Sequence, residues 1–174
     1  MSARGGLRRL NSLSPELAQA ELREVCGAPG WAEAVAAGRP FGDQDALTAA
    51  AEAAWDQLPR AAWVEGFAMH PRIGEGSRRT GGEASAWSRE EQAGMAAAAE
   101  HARAAVAAAQ REYERRFGWP YIVCATGRSA QEMLADCRAR LANDPDGEFV
   151  VAAGEERRIG RLRLEKLLTT GGQT

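Results

Sequence analysis

The segment His70-Pro71-Arg72-Ile73-Gly74-Glu75 places one of only two histidines in the chain where a proline interrupts a helical pattern. Pro71 drives the residue before it out of the α region, so the helix carrying Trp63 and Phe67 should stop near His70. An imidazole at that lip has an unperturbed pKa close to neutrality and can serve as acid, base or hydrogen-bond anchor. Its structural alternative is to cap helix carbonyls or pack against Phe67. A second candidate is Ser88-Arg89-Glu90-Glu91-Gln92, where Ser88 and Glu91 form a capping box at a helix start. The same helix end can turn free N–H groups and its positive dipole toward a ligand, with Ser88, Glu91 and Gln92 adding polar contacts. The third is Arg163. With residues roughly 100° apart around a helix, Ile159, Leu162, Leu164 and Leu167 form a broad apolar arc with Arg163 near its middle. A guanidinium there needs an anionic or hydrogen-bonding partner, or must snorkel outward. A structural ion pair and a ligand contact both satisfy that demand.

Other groups carry weaker signals. Gly74-Glu75-Gly76 with Gly81-Gly82 follows no strand and opens no helix, so it reads as a loop rather than a phosphate cradle. His101 sits among small residues in mid-helix, and two distant histidines do not make a metal site. Cys26, Cys124 and Cys137 are widely spaced, with no Cys-x-x-Cys pair and no signature of a nucleophilic thiol. A reducing compartment suits them.

The elements that must position these residues are helical. Pro, Gly and capping residues divide the chain into about six to eight helices with almost no period-two patterning, an all-α bundle. Ser14-Pro15-Glu16 opens a helix carrying Leu17, Leu22 and Val25 to Gly27, and a short piece runs from Trp31 to Ala37. Asp43 caps a helix holding Leu47 and Trp55, and Pro59 separates it from the one that delivers His70. Ser88 starts the longest helix, which Gly118 and Pro120 stop after Phe117. Tyr121-Ile122-Val123-Cys124 is a short apolar run, either strand or buried connector. Ser129 starts a helix with Met133, Leu134, Cys137 and Leu141 at helical spacing, and a last helix covers roughly Gly147 to Leu168. Residues 1–10 and 169–174 read as frayed ends.

At 174 residues and 45% hydrophobic, the chain is sized for one domain, 1–174, with a core that needs no disulfide or structural metal. Its 22 basic and 24 acidic residues are interspersed, so nothing marks a nucleic-acid or membrane-surface partner. The start has no apolar signal run, the Ala-rich stretch is interrupted by charge, and the tail is not a peroxisomal address. The expected location is the cytoplasm.

Taken in order, His70-Pro71-Arg72-Ile73-Gly74-Glu75, Ser88-x-x-Glu91-Gln92, Phe117-Gly118-x-Pro120-Tyr121-Ile122-Val123-Cys124-Ala125 and Leu162-Arg163-Leu164 closely resemble the 2-oxo-4-hydroxy-4-carboxy-5-ureidoimidazoline (OHCU) decarboxylase family of urate degradation. The resemblance spans about Leu10 to Leu168. It implies an all-helical, cofactor-independent enzyme, a homodimer, acting on a small anionic ureidoimidazoline to give (S)-allantoin, with no metal. It places the family's catalytic residues on His70, Glu91 and Arg163. It places substrate-binding positions on Pro71, Ser88 and Gln92, and on the backbone at Ile122 and Val123. Thr126 stands where some relatives carry a basic residue. Two rival readings remain at this point: a noncatalytic helical interaction module, and a related ureide-pathway hydrolase. The first would show an exposed apolar groove, and the second requires an activated water.

Overall fold

The structure, a computed structural model, describes residues 2–73 and 100–170, with side chains from residue 104 onward in the second stretch. Eight helices make up the described residues, and no strand occurs among them: α1 (Ala3–Ser12), α2 (Pro15–Val25), α3 (Trp31–Ala37), α4 (Gln44–Asp56), α5 (Arg60–Ala68), α6 (Glu100–Phe117), α7 (Ala130–Arg140) and α8 (Pro145–Thr170). The protein is all-α. The chain forms two compact units, one of residues 1–66 with 157–174 and one of Phe67–Glu156, and α5 and α8 contribute to both.

Helix boundaries follow local chemistry. Ser14 accepts the Leu17 N–H with Pro15 in the first turn of α2, and Asp43 accepts the Ala46 N–H at the start of α4. Ser129 and Glu132 form a reciprocal capping box on α7. Gly118, at φ 84°, follows the last residue of α6, a left-handed backbone that side chains resist. The start expected at Ser88 and the Gly74–Gly82 loop lie outside the described residues. Pro145 opens α8, two residues before the expected start at Gly147, because a missing N–H costs nothing in the first turn, while Asp144 accepts from the Gly147 N–H at 2.9 Å.

In the first unit, Trp31 and Trp55 stack with ring centroids 5.0 Å apart, and Leu10, Leu22, Val25 and Leu47 are all buried. One expectation needs correction here. Residues 3–12 are not frayed: they form α1, whose Leu7 and Leu10 are buried. Asn11 exchanges hydrogen bonds with the Phe41 backbone at 2.8 and 3.0 Å, and Arg39 donates to the carbonyls of Leu10 and Leu13 at the helix end. These tertiary bonds satisfy a terminus that propensity alone would leave loose. Helix α2 buries Ala18, Leu22 and Val25 and leaves Leu17 exposed.

In the Phe67–Glu156 unit the core is aromatic: Phe67, Trp119 and Phe149 touch one another, and Tyr113 meets Phe117 and Tyr121. Tyr121–Cys124 is a buried connector, not a strand. Among its neighbours Glu148, fully buried, takes bonds from Arg140 Nε and Nη2 at 2.8 and 2.5 Å, from Asn143 at 2.7 Å and from the Tyr113 hydroxyl. Burial, then the bond to Glu148, pushes the Tyr113 hydroxyl well above the ordinary phenol range, so it stays a donor. Burial opposes the Arg140 charge, but Glu148 more than compensates and its pKa rises.

A Cβ at Gly6 would lie 1.9 Å from the Leu168 carbonyl oxygen, a backbone atom that cannot swing away. Gly6→Ala should therefore cost about 1–3 kcal/mol of stability by forcing α1 from the end of α8, read as a lower urea midpoint. An unchanged midpoint would mean that α1 is not docked there.

Candidate active site

Pro59 starts the turn that leads into α5, its carbonyl accepting from the N–H groups of Ala62 and Trp63. The helix ends at Ala68, and the His70 N–H reaches back to the Phe67 carbonyl at 3.1 Å before Pro71 turns the chain away. His70 thus sits where the sequence puts it, with a side chain only 12% exposed. Its Nε2 lies 2.6 Å from Oε2 of Glu156, a carboxylate on α8 that is itself 1% exposed.

Two of the three residues after His70 are pinned to α6. Arg72 makes a two-pronged bond to Glu114, Nε to Oε1 at 2.7 Å and Nη2 to Oε2 at 2.8 Å. One turn earlier on the helix, buried Gln110 accepts from the Ile73 N–H and donates to the Ile73 carbonyl, both at 3.0 Å. An amide can do this because it carries donor and acceptor side by side, imitating a strand partner. Together these bonds fix the backbone that presents the imidazole.

The Ile122–Val123 segment is buried and held from two sides. Arg140 Nη1 donates to the Ile122 carbonyl at 2.9 Å, and the Cys124 N–H donates to Oε2 of Glu155 at 2.8 Å. The Ile122 carbonyl keeps one further lone pair for a ligand. Thr126 is exposed. Cys137 is buried against this region, and burial above all pushes its thiol up to about 12, so it is protonated at neutral pH and unsuited to nucleophilic work.

Arg163 is 5% exposed in the middle of α8, as its place in the apolar arc requires. Nη1 donates to the carbonyl of Val25, the last residue of α2, at 3.4 Å. A cation at a helix C-terminus meets its negative dipole end. His70, Pro71, Ile122 and Val123 belong to the Phe67–Glu156 unit and Arg163 to the other. Ser88, Glu91 and Gln92 lie outside the described residues. Among the described residues no group of three or more His, Cys, Asp or Glu side chains is arranged to hold a metal, and no helix is long and apolar enough to cross a membrane. A cleft of about 530 Å³ beside α1 and the start of α4 is lined by Arg4, Arg8, Asn11 and Asp43 and by none of the nominated residues.

Sequence reasoning missed Glu156, Gln110 and Glu114. Glu156 had a signal: it stands seven residues before Arg163, two helical turns, on the same apolar arc that made the arginine conspicuous. Gln110 and Glu114 had none, since an i,i+4 polar pair on a helix reads as a solvated face.

An all-helical scaffold that sets a sheltered histidine beside a buried carboxylate has the groups that acid–base chemistry uses. The family model described as OHCU decarboxylase matches residues 11–165. The 2-oxo-4-hydroxy-4-carboxy-5-ureidoimidazoline decarboxylase of Amia calva is 31% identical over 168 residues, covering 93% of this chain and 94% of the relative. The uric acid degradation bifunctional protein TTL of Arabidopsis thaliana is 30% identical over 166 residues, and this chain spans 49% of its length. A crystal structure of OHCU decarboxylase in the presence of (S)-allantoin superposes with a TM-score of 0.73 at 30% identity, covering 86% of this chain and 97% of that one. The chain belongs to the OHCU decarboxylase family, and it is a decarboxylase.

Gln110→Leu strips both bonds from the buried Ile73 backbone. It should lower stability by about 1–3 kcal/mol in urea and reduce turnover as well; turnover at the wild-type level would show that the clamp does not position His70. Separately, Cys137 should resist iodoacetamide in the native protein at pH 8 and be labelled only after denaturation, as mass spectrometry of digests would report.

Proposed function

We propose that this chain removes carbon dioxide from 2-oxo-4-hydroxy-4-carboxy-5-ureidoimidazoline to give (S)-allantoin, without a cofactor. The observation that carries the reading is the nearly buried His70 imidazole on a backbone fixed by Gln110 and Glu114. The substrate brings its own electron sink. Its carboxylate sits on the carbon next to a ring C=N bond, so the electrons of the breaking C–C bond pass into that imine and the ring nitrogen gains a proton. The enol that remains then ketonises, and the neighbouring carbon takes a proton on one face.

His70 withdraws the proton of the hydroxyl beside the departing carboxylate and orients that carboxylate. Arg163 and Gln92 bind the polar ring and ureido groups, and Glu91 binds ureido N–H groups or handles the later proton. Pro71 and Ser88 shape the site, and the backbone at Ile122 and Val123 hydrogen-bonds the ring. The enzyme works as a homodimer in the cytoplasm, a location that three cysteines outside any disulfide suit.

The test is a stopped assay on freshly generated substrate that records carbon dioxide release and the handedness of the allantoin formed. His70→Asn should slow turnover by about 10²–10⁴-fold while preserving the helical circular dichroism spectrum. Arg163→Lys, which keeps the charge but loses the planar fork, should act chiefly on KM. Wild-type rates in the His70 variant would refute the assignment. Activity lost on exhaustive chelation and regained with a metal would refute cofactor independence, and a monomer in sedimentation would refute the dimer.

A further inference from the structure

Glu156 has no part in the reading above, yet its buried carboxylate stands at 2.6 Å from the imidazole on which that reading depends. We propose that Glu156 is a positioning residue for His70: it holds the ring in the Nε2–H tautomer, so that Nδ1 is the nitrogen that takes the substrate's proton. The inference rests on His70 being the base.

At 2.6 Å the ring nitrogen and the carboxylate oxygen are close enough to share one proton, and with the acid ionised that proton rests on Nε2. In a neutral imidazole the other nitrogen is then bare. Nδ1 is thereby left as the basic edge. Glu156 is suited to this role by its setting. It lies well inside the 26-residue α8, and at 1% exposure its side chain has little freedom to leave the ring. Burying a carboxylate is costly unless it is partnered, so the fold retains it only with a partner in place. The preceding residue does a parallel job: Glu155 holds the Cys124 N–H at 2.8 Å. Two successive acids on one helix thus anchor two segments that the family resemblance assigns to the site.

The chain has only two histidines, so His101→Gln leaves His70 as the single imidazole for ¹⁵N NMR. At the assay pH the expected spectrum has a protonated, pyrrole-type Nε2 and a bare, pyridine-type Nδ1. In the His101→Gln background, Glu156→Leu should mix the tautomers. In the otherwise wild-type chain, Glu156→Leu should cut kcat at least tenfold while leaving KM within about twofold and Tm unchanged or higher, since exchanging a buried acid for a hydrophobe is often neutral or stabilising. Glu156→Gln, whose carbonyl still accepts from Nε2–H, should recover most of the lost rate. A residue that merely supports the fold would lower Tm and spare kcat, the reverse pattern.

An Nδ1–H tautomer or a doubly protonated ring in the unliganded protein overturns the proposal, as does a Glu156→Leu enzyme within threefold of wild-type kcat. If Glu156→Leu fails to fold, the tautomer measurement and Glu156→Gln still decide. Full activity in His70→Asn would sink the functional reading itself. An inactive His70→Asn beside a normal Glu156→Leu would sink this inference alone.

Discussion

Three carboxylates buried on one helix govern how the Phe67–Glu156 unit is assembled. Glu148 is fully buried, Glu156 nearly so, and Glu155 is 9% exposed, all within the first half of α8. Water cannot solvate them, and an unpartnered buried charge costs several kcal/mol, so each must be met by protein. Arg140, Asn143 and Tyr113 meet Glu148, the Cys124 N–H meets Glu155, and His70 meets Glu156. These partners come from α6, α7, the turn after α7, the connector between α6 and α7, and the segment after α5. Satisfying the three acids therefore ties together the described elements of the unit.

The aromatic core and this polar layer are not separate devices. The Tyr113 ring packs against Phe117 and Tyr121 while its hydroxyl donates to Glu148 and accepts the Trp119 indole N–H. The Arg140 guanidinium lies over the Tyr113 and Tyr121 rings as it bonds Glu148 and the Ile122 carbonyl. A charge stacked on aromatic faces and fully hydrogen-bonded is tolerated inside a core where a bare one is not. The Tyr121–Cys124 connector, lacking regular structure of its own, obtains backbone partners from this layer, which is why an irregular segment can be buried at all.

The first unit relies on close approach instead. The rings of Trp31 and Trp55 stack, the Trp31 indole donates to the Ala51 carbonyl at 3.1 Å, and Gly160 leaves the space on α8 that the Trp55 ring occupies. Arg163 adds a charge to this apolar setting, and the carbonyl at the end of α2 supplies part of what its guanidinium requires. The first unit thus relies on small residues under large rings with one buried guanidinium, and the other on a layer of buried acids and their partners.

How much of this was legible follows from the range of the forces involved. Capping, proline and glycine act within a few residues, so Ser14, Asp43, Ser129 and Gly118 marked helix ends directly, and Trp31–Ala37 was read with its boundaries. His70 and Arg163 were visible as local conflicts, a histidine at a proline-broken helix end and a cation in an apolar arc. Helix α1 was not legible, because a start rich in Arg and Gly lacks local stability and gains it from tertiary partners, among them Phe41, Arg39 and Glu21. By itself the sequence determined the helical class, most boundaries and the two anomalous side chains. Only the tertiary structure decided that a glutamate on α8 would stand against the histidine and that Gln110 would clamp the backbone beside it. Contacts between residues 86 and 37 positions apart depend on how helices pack, and nothing in local spacing encodes that.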